Sequence, residues 1–411
     1  MRAAKLGVLV VVAACARDDP EELQEEMDFA QEVRELRFVT PPRVEKRSRE
    51  DFLASSKQRS EGQSDRDIAS TRAVWGRLGF IPPSYDLRAA SPSDAVLAAY
   101  YDSTDKALVL FDAKQSDVVV HELVHALQDQ HFDLRAYEGA THTTDEAFAR
   151  RAVVEGDATV AQLRWRGVTP TSGKRGVSAD LTAFLAPESI VRRSEELFAN
   201  PAVPPALLGR PAFVYFYGAG FVARSAGVFE AAPTWNRAPV DALFRDSAPA
   251  TSEDVMRRAL GLPTDERVEV GITHVPDAAA ARYEVAALDR IGAWYTYLLL
   301  REANRTTEMR TLALGWDGDQ LVVLRPRTLE SPSTLPLPNG VVWTTVWDDV
   351  GKAPDFEEEI LSVQQAAPAG ASFVYRAADG EELWLESRGP KVVFVKGPPR
   401  EDLAAFAAAA F

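Results

Sequence analysis

The stretch His121-Glu122-Leu123-Val124-His125 constrains this chain more than any other. Side chains four apart share one face of a helix, so His121 and His125 project the same way. Two imidazoles placed like this can hold a zinc ion (Zn2+). Glu122, one step round the helix, then stands beside the metal and can take a proton from water there. The flanking residues agree with a helix. From Asp117 to about Phe132 a single helical pattern runs, with Val120, Leu123, Val124 and Leu127 as its apolar side. His121, His125, Gln128, Asp129 and Phe132 form a different side. A helix with a core face and a separate polar face suits the wall of a cleft.

Catalytic zinc takes three protein ligands and keeps a fourth position open. Two residues compete for the third place. His131 completes the metzincin spacing HExxHxxGxxH, in which a glycine breaks the helix and lets the last histidine swing back. Here the glycine position is Gln128, which continues the helix, so His131 points toward the Leu127 side. Neither Met256 nor Met309 suggests the methionine turn of that group. Glu155 is the other choice and the better one. It lies in Val153-Val154-Glu155-Gly156-Asp157-Ala158, on a second predicted helix from Asp145 to Trp165 that Thr143 or Thr144 can cap. Two helices joined by a short excursion pack antiparallel, and Gly156 and Ala158 permit close approach. That sets one carboxylate opposite two imidazoles. Apolar neighbours surround Glu155, so burial and a cationic partner are expected.

At these residues the chain resembles a known group. HELVH with EGDA looks like the gluzincin branch of the zincin metallopeptidases. The wider HELVHALQDQHFDL and VVEGDAT resemble those of uncharacterised secreted or lipid-anchored HExxH proteins of bacteria and archaea. The likeness covers roughly residues 95 to 165; GWDGD (315–319) and VVWTTVWDD (341–349) are weaker echoes. It implies zinc ligands at His121, His125 and Glu155, Glu122 as catalytic base, and peptide bonds as substrate. One departure stands out. The thermolysin type has an aspartate four residues after the glutamate ligand, supporting a histidine, and here that residue is Thr159. Asp129, one turn after His125, is the substitute candidate for that support.

Peptide hydrolysis also needs a hydrogen-bond donor for the oxyanion. Tyr215, Tyr217, Tyr101 and His142 are the candidates. Just before the motif helix, Val96–Tyr101 and Lys106–Phe111 read as a hairpin, and in zincins a neighbouring strand holds the substrate backbone.

The N-terminus reads as an export signal. Arg2 and Lys5 precede a short apolar run, Leu6–Val12, and Val12-Ala13-Ala14-Cys15 resembles a lipoprotein box. That resemblance implies lipidation of Cys15, and as the only cysteine it excludes an internal disulfide. Ala16 behind it favours an outer-membrane address within the cell envelope. A net charge of −15 argues against nucleic acid and against an anionic membrane surface, leaving the Cys15 anchor as the one membrane contact expected. No other run reads as long and apolar enough to span a bilayer.

The expected organisation is a signal peptide (1–14), an N-terminal helical spacer or scaffold (15–72), an α-rich zincin-like core (73–265) and a C-terminal α+β domain (266–411). In the N-terminal part, helices are expected over Pro20–Leu36, from near Arg49, and up to Leu78, with a polar loop over Glu61–Asp67. The C-terminal part should hold a helix near Ala287–Glu302 and another over Ala353–Gln364. Its strands should lie at Leu321–Leu324, Gly340–Trp347, Ser372–Ala377, Leu383–Glu386 and Val392–Lys396. Trp316, Trp343 and Trp347 fit core, and Asp317 and Asp319 fit a turn. The expected activity is that of an exported, lipid-anchored zinc endopeptidase. Its rivals are a non-catalytic envelope lipoprotein with a structural metal or a partner-binding role, and a zinc hydrolase acting on a non-peptide amide.

Overall fold

The computed structural model describes residues 20–48, 50, 65–87, 99–111, 115–167, 179–199, 203–231, 233–264, 266–271, 273–303, 308–327 and 336–411. Cys15, the signal segment, the helix start near Arg49 and the first residues of the expected strand at Val96 lie outside these. The architecture is α+β.

A 3-10 turn (Pro20–Leu23) leads into α1 (Gln24–Arg34), which turns its Met27, Ala30 and Val33 inward. β1 (Arg43–Lys46), α2 (Asp65–Leu78), β2 (Ala99–Asp102) and β3 (Ala107–Leu110) follow. α2 already begins inside the stretch expected as a loop. The three strands form a small sheet in the order β1-β3-β2, with β1 parallel and β2 antiparallel to β3. The motif helix α3 (Ser116–Phe132) lays Val119, Val120, Leu123, Val124 and Leu127 into one apolar cluster with Met27, Ala30 and Val33 of α1 and Leu108 and Leu110 of β3.

The opposite wall is α4 (Thr144–Arg166), whose cap is Thr143, accepting a hydrogen bond from the Glu146 N–H at 3.2 Å. α4 serves two cores. Ala158 and Ala161 join the cluster under α3, while Ala149, Ala152, Val153 and Val160 face the larger one. Behind it lies α5 (Pro205–Ser225), which carries a π-helical stretch at Ala212–Tyr217. This helix is long and apolar enough to cross a membrane, contrary to the sequence reading, yet 67% of its apolar window is buried inside the protein. α4 and α5 touch backbone to backbone. A Cβ on Gly156 would sit 2.3 Å from the Gly218 carbonyl, so only glycine fits there. The close approach expected beside Glu155 is therefore made to α5. Shorter helices fill out this part, among them α6 (Arg237–Leu243) and α7 (Ser252–Ala259).

The C-terminal region is a seven-stranded antiparallel sheet in the order β4-β5-β6-β10-β9-β8-β7. Its strands are β4 (Tyr283–Asp289), β5 (Trp316–Pro326), β6 (Gly340–Trp347), β7 (Ala367–Ala371), β8 (Val374–Arg376), β9 (Glu382–Arg388) and β10 (Lys391–Lys396). Helices α8 (Gly292–Ala303), α9 (Lys352–Gln364) and α10 (Arg400–Ala410) pack on it. Phe356 and Ile360 of α9 share a core with Trp343, while Leu403 and Phe406 of α10 share another with Val342. Covered on both faces, β6 is buried at every residue, Thr344 and Thr345 included, so its sequence shows no alternation of apolar and polar positions.

Two expectations need correction here. The helix near Ala287 starts five residues later. The chain runs as strand to Asp289 and turns at Gly292, whose φ of +79° and contact with Asp145 exclude a side chain. GWDGD is not a turn either. It opens β5 with a bulge between Trp316 and Gly318, and Asp319 is buried. Trp316, Trp343 and Trp347 are core, at most 1% exposed. The larger apolar core holds Leu78, Phe213, Trp294 and Trp343 together, so packing continues across residue 265.

Candidate metal centre

α3 presents His121 and His125 toward α4, and α4 returns Glu155. The Glu155 Oε2 atom lies 3.1 Å from His121 Nε2 and 3.3 Å from His125 Nε2. All three side chains are at least nine-tenths buried. A tetrahedral zinc with legs of about 2.0 Å separates its ligand atoms by about 3.3 Å, so this spacing fits the ion. Nitrogen, nitrogen and carboxylate oxygen are also donors that zinc accepts. The Glu122 carboxylate forms a group with the two histidines, its ligand-type atom within 4.8 Å of both of theirs. Its Oε2 accepts a hydrogen bond at 2.8 Å from the Tyr101 N–H on β2, which ties the small sheet to the site.

The charge balance follows from burial and pairing. Burial opposes ionisation of Glu155, but His125, His121 and Arg151 outweigh it and hold the carboxyl well below the usual carboxylate range. Arg151, one turn earlier on α4, reaches the other oxygen at 2.6 Å and is the expected cationic partner. Burial also works against protonation of His125, yet Glu155 and Glu122 raise it to about 9.

His125 has a second support that the sequence reading missed. Its Nδ1 lies 2.9 Å from Gln128 Oε1, and Gln128 Nε2 donates to Asp157 Oδ2 at 2.8 Å and to the Val154 carbonyl at 3.1 Å. With Oε1 facing the ring, Nδ1 donates, which makes Nε2 the nitrogen at which a metal would take the place of a proton. His121 lacks such help. Its Nδ1 is buried without a partner among the described residues, as is the Thr159 hydroxyl.

Asp129, the substitute support, does not reach either histidine. It accepts from the Tyr101 hydroxyl at 2.7 Å and from Lys106 Nζ at 2.6 Å, because its position turns it toward the hairpin. Tyr101 is thereby engaged and is no donor to a substrate. His131 is engaged elsewhere, its Nε2 2.8 Å from the Arg37 carbonyl oxygen.

Among the remaining donor candidates, only Tyr215 comes to the site. Its ring centroid is 6.0 Å from that of His121, and the residue is 38% exposed. Glu155 first, then burial and Glu122, push its phenol above the ordinary value, so it stays a donor. The π-helical stretch of α5, anchored at the Gly156–Gly218 crossing, brings it there. Tyr217 is corrected to core: fully buried and packed against Phe213 and Trp294. His142 is corrected too. It lines a separate cavity of about 500 Å³ with Trp75, Phe80 and Tyr295, beyond the start of α4. Glu155 is eleven residues past Thr144, or about 16 Å along the helix.

A family model described as "Domain of unknown function (DUF8575)" matches residues 281–407, which begin just before β4 and end within α10. The match covers the sheet and leaves out α3 and α4. No curated protein and no solved structure matches the chain.

Proposed function

We propose that this protein is a zinc-dependent endopeptidase of the gluzincin kind, with a zincin-like core, exported and held in the cell envelope by a lipid on Cys15. The observation that carries the catalytic reading is the Glu155 carboxylate between two imidazole nitrogens, at 3.1 and 3.3 Å, with Glu122 alongside. His121, His125 and Glu155 hold the ion in this reading. Bound there, zinc supplies Lewis acidity, making water more acidic and polarising a carbonyl.

The chain's own residues do the rest. Glu122 takes a proton from the attacking water and passes it to the departing amine nitrogen. Its hydrogen bond from the Tyr101 N–H fixes one carboxylate oxygen, leaving the other for this exchange. Tyr215 donates a hydrogen bond to the carbonyl oxygen as negative charge grows on it. Arg151 keeps Glu155 ionised throughout. A peptide or protein is the substrate class, and β2 beside α3 is the strand that would hold its backbone.

A non-catalytic role with a structural metal is the second reading. Glu122 speaks against it, because a purely structural site gains nothing from a carboxylate poised beside its ligands. Casein cleavage by the chain from residue 20 onward tests the proposal. Cleavage should stop with chelator and return with zinc. Stoichiometric zinc without hydrolysis of any peptide in a diverse library would favour the structural role.

A further inference from the structure

Gln128 supports His125, but Gln128 must itself be told which way to turn. An amide can present either its oxygen or its NH2 to the ring, and the two ends are nearly the same shape. The Asp157 carboxylate, an acceptor, decides it by taking the Gln128 NH2 at 2.8 Å. Asp157 is fully buried on α4, and its Oδ2 is also met by Arg34 Nε at 2.8 Å. Arg34 closes α1, is itself 0% exposed, and gives its NH2 to Asp241 Oδ1 on α6 at 3.1 Å. Arg237, on the rim, finishes the series at Asp241 Oδ2, 2.5 Å away.

An arginine buried this completely is expensive unless its charge answers another. Here it answers two carboxylates, one of which sits directly behind the His125 support. The N-terminal helix thus reaches the metal centre through side chains alone, though Arg34 and His125 are far apart in sequence.

We propose that Arg34 is a positioning residue for the metal ligand His125, acting through Asp157 and Gln128, and that α1 is therefore part of the metal centre. The proposal rests on the reading of His121, His125 and Glu155 as zinc ligands. Arg34 holds the Asp157 carboxylate in place. Asp157 orients the Gln128 amide, and the Gln128 oxygen holds the His125 ring with its Nε2 toward Glu155. Without Arg34 the carboxylate loses its counter-charge, the amide loses its direction, and the ring is free to rotate or to adopt the other tautomer.

The test measures zinc affinity of the chain by competition with a chromophoric chelator. The variants are Arg34→Met, Arg34→Lys, Gln128→Leu and Arg237→Met, each with the thermal midpoint of its metal-free form. Loss of support behind a ligand weakens metal binding about 10- to 100-fold. That drop is expected for Arg34→Met and Gln128→Leu, with Arg34→Lys in between and Arg237→Met unchanged. In the zinc-loaded protein, the 15N resonance of His125 Nδ1 should move in the first and third variants while that of His121 stays. A residue that serves folding alone would shift thermal midpoints and leave that resonance in place. Wild-type zinc affinity in Arg34→Met overturns the proposal. If Arg34→Met does not fold, Arg34→Lys decides it: wild-type zinc affinity with an unmoved His125 Nδ1 resonance there overturns the proposal too. A folded wild type that binds no zinc sinks the metal-site reading itself, a different outcome from zinc bound equally by all variants.

Discussion

Glu155 and Asp319 are both buried carboxylates, 5% and 4% exposed, one in the helical region and one in the sheet region. Their surroundings differ in kind. Glu155 meets only side chains: two imidazoles and the Arg151 guanidinium. Asp319 meets the backbone N–H groups of Ile291 and Gly292, at 3.1 and 3.0 Å, and the Trp343 indole N–H at 3.0 Å. Cationic partners hold Glu155 well below the usual range. Dipoles alone do not offset desolvation at Asp319, and burial pushes it up to about 7. The contrast separates two uses of a buried acid. One stays charged beside imidazoles whose protons a metal ion could replace. The other pins the start of α8 to the sheet and has no atom left for chemistry.

If that division is right, changes around Glu155 should alter function and spare the fold, and changes at Asp319 should do the reverse. Glu122→Gln tests it most severely. Proton transfer by a placed carboxylate contributes about 10²- to 10⁴-fold. Peptide turnover should fall by that factor, with zinc content and thermal midpoint unchanged. Tyr215→Phe comes next. Losing one oxyanion donor lowers kcat about 10²- to 10³-fold, and KM should hardly move. Glu155→Gln should weaken zinc binding by more than the roughly 100-fold seen for residues behind a ligand. His131→Asn should leave zinc content at the wild-type level, and a loss there would revive the rival ligand set.

Asp319→Asn sits on the other side of the comparison. It sets an NH2 against N–H donors and should destabilise the fold by about 1–3 kcal/mol while zinc binding persists. Its pH dependence sharpens the point. Because the folded pKa is about 7, above the unfolded value, the stability that Asp319 contributes is full in acid. It is lost as pH rises from about 4 through 7. The thermal midpoint of the wild type should therefore fall across that window by more than that of Asp319→Asn, which has nothing to titrate. A parallel fall in both proteins would show that another group is responsible.

Part of the site was legible along the chain. HELVH declares itself because both histidines and their apolar neighbours follow one local periodicity. Glu155 was legible for a related reason: an acid set among apolar helical neighbours needs a partner. What escaped was everything settled by non-local packing. Asp129 has the right spacing from His125, yet it turns to Tyr101 and Lys106. Gln128 was read as a residue of the histidine side that keeps the helix going, and its amide proves to face the ring. β4 was hidden because its residues run without a clear stop into the helix at Gly292.

The sequence alone determined the helix that carries two imidazoles and a carboxylate, the acid on the following helix that answers them, and the α+β texture of the C-terminal part. These depend on periodicity and on the penalty for burying an unpaired charge, both of which act over a few turns of chain. Only the tertiary structure decided which tyrosine comes near His121 and which side chain backs His125. It also decided that Arg34, near the beginning, stands behind that support. Hydrogen bonds and ion pairs depend on distances of a few ångströms between residues far apart in order, and no local pattern encodes those distances.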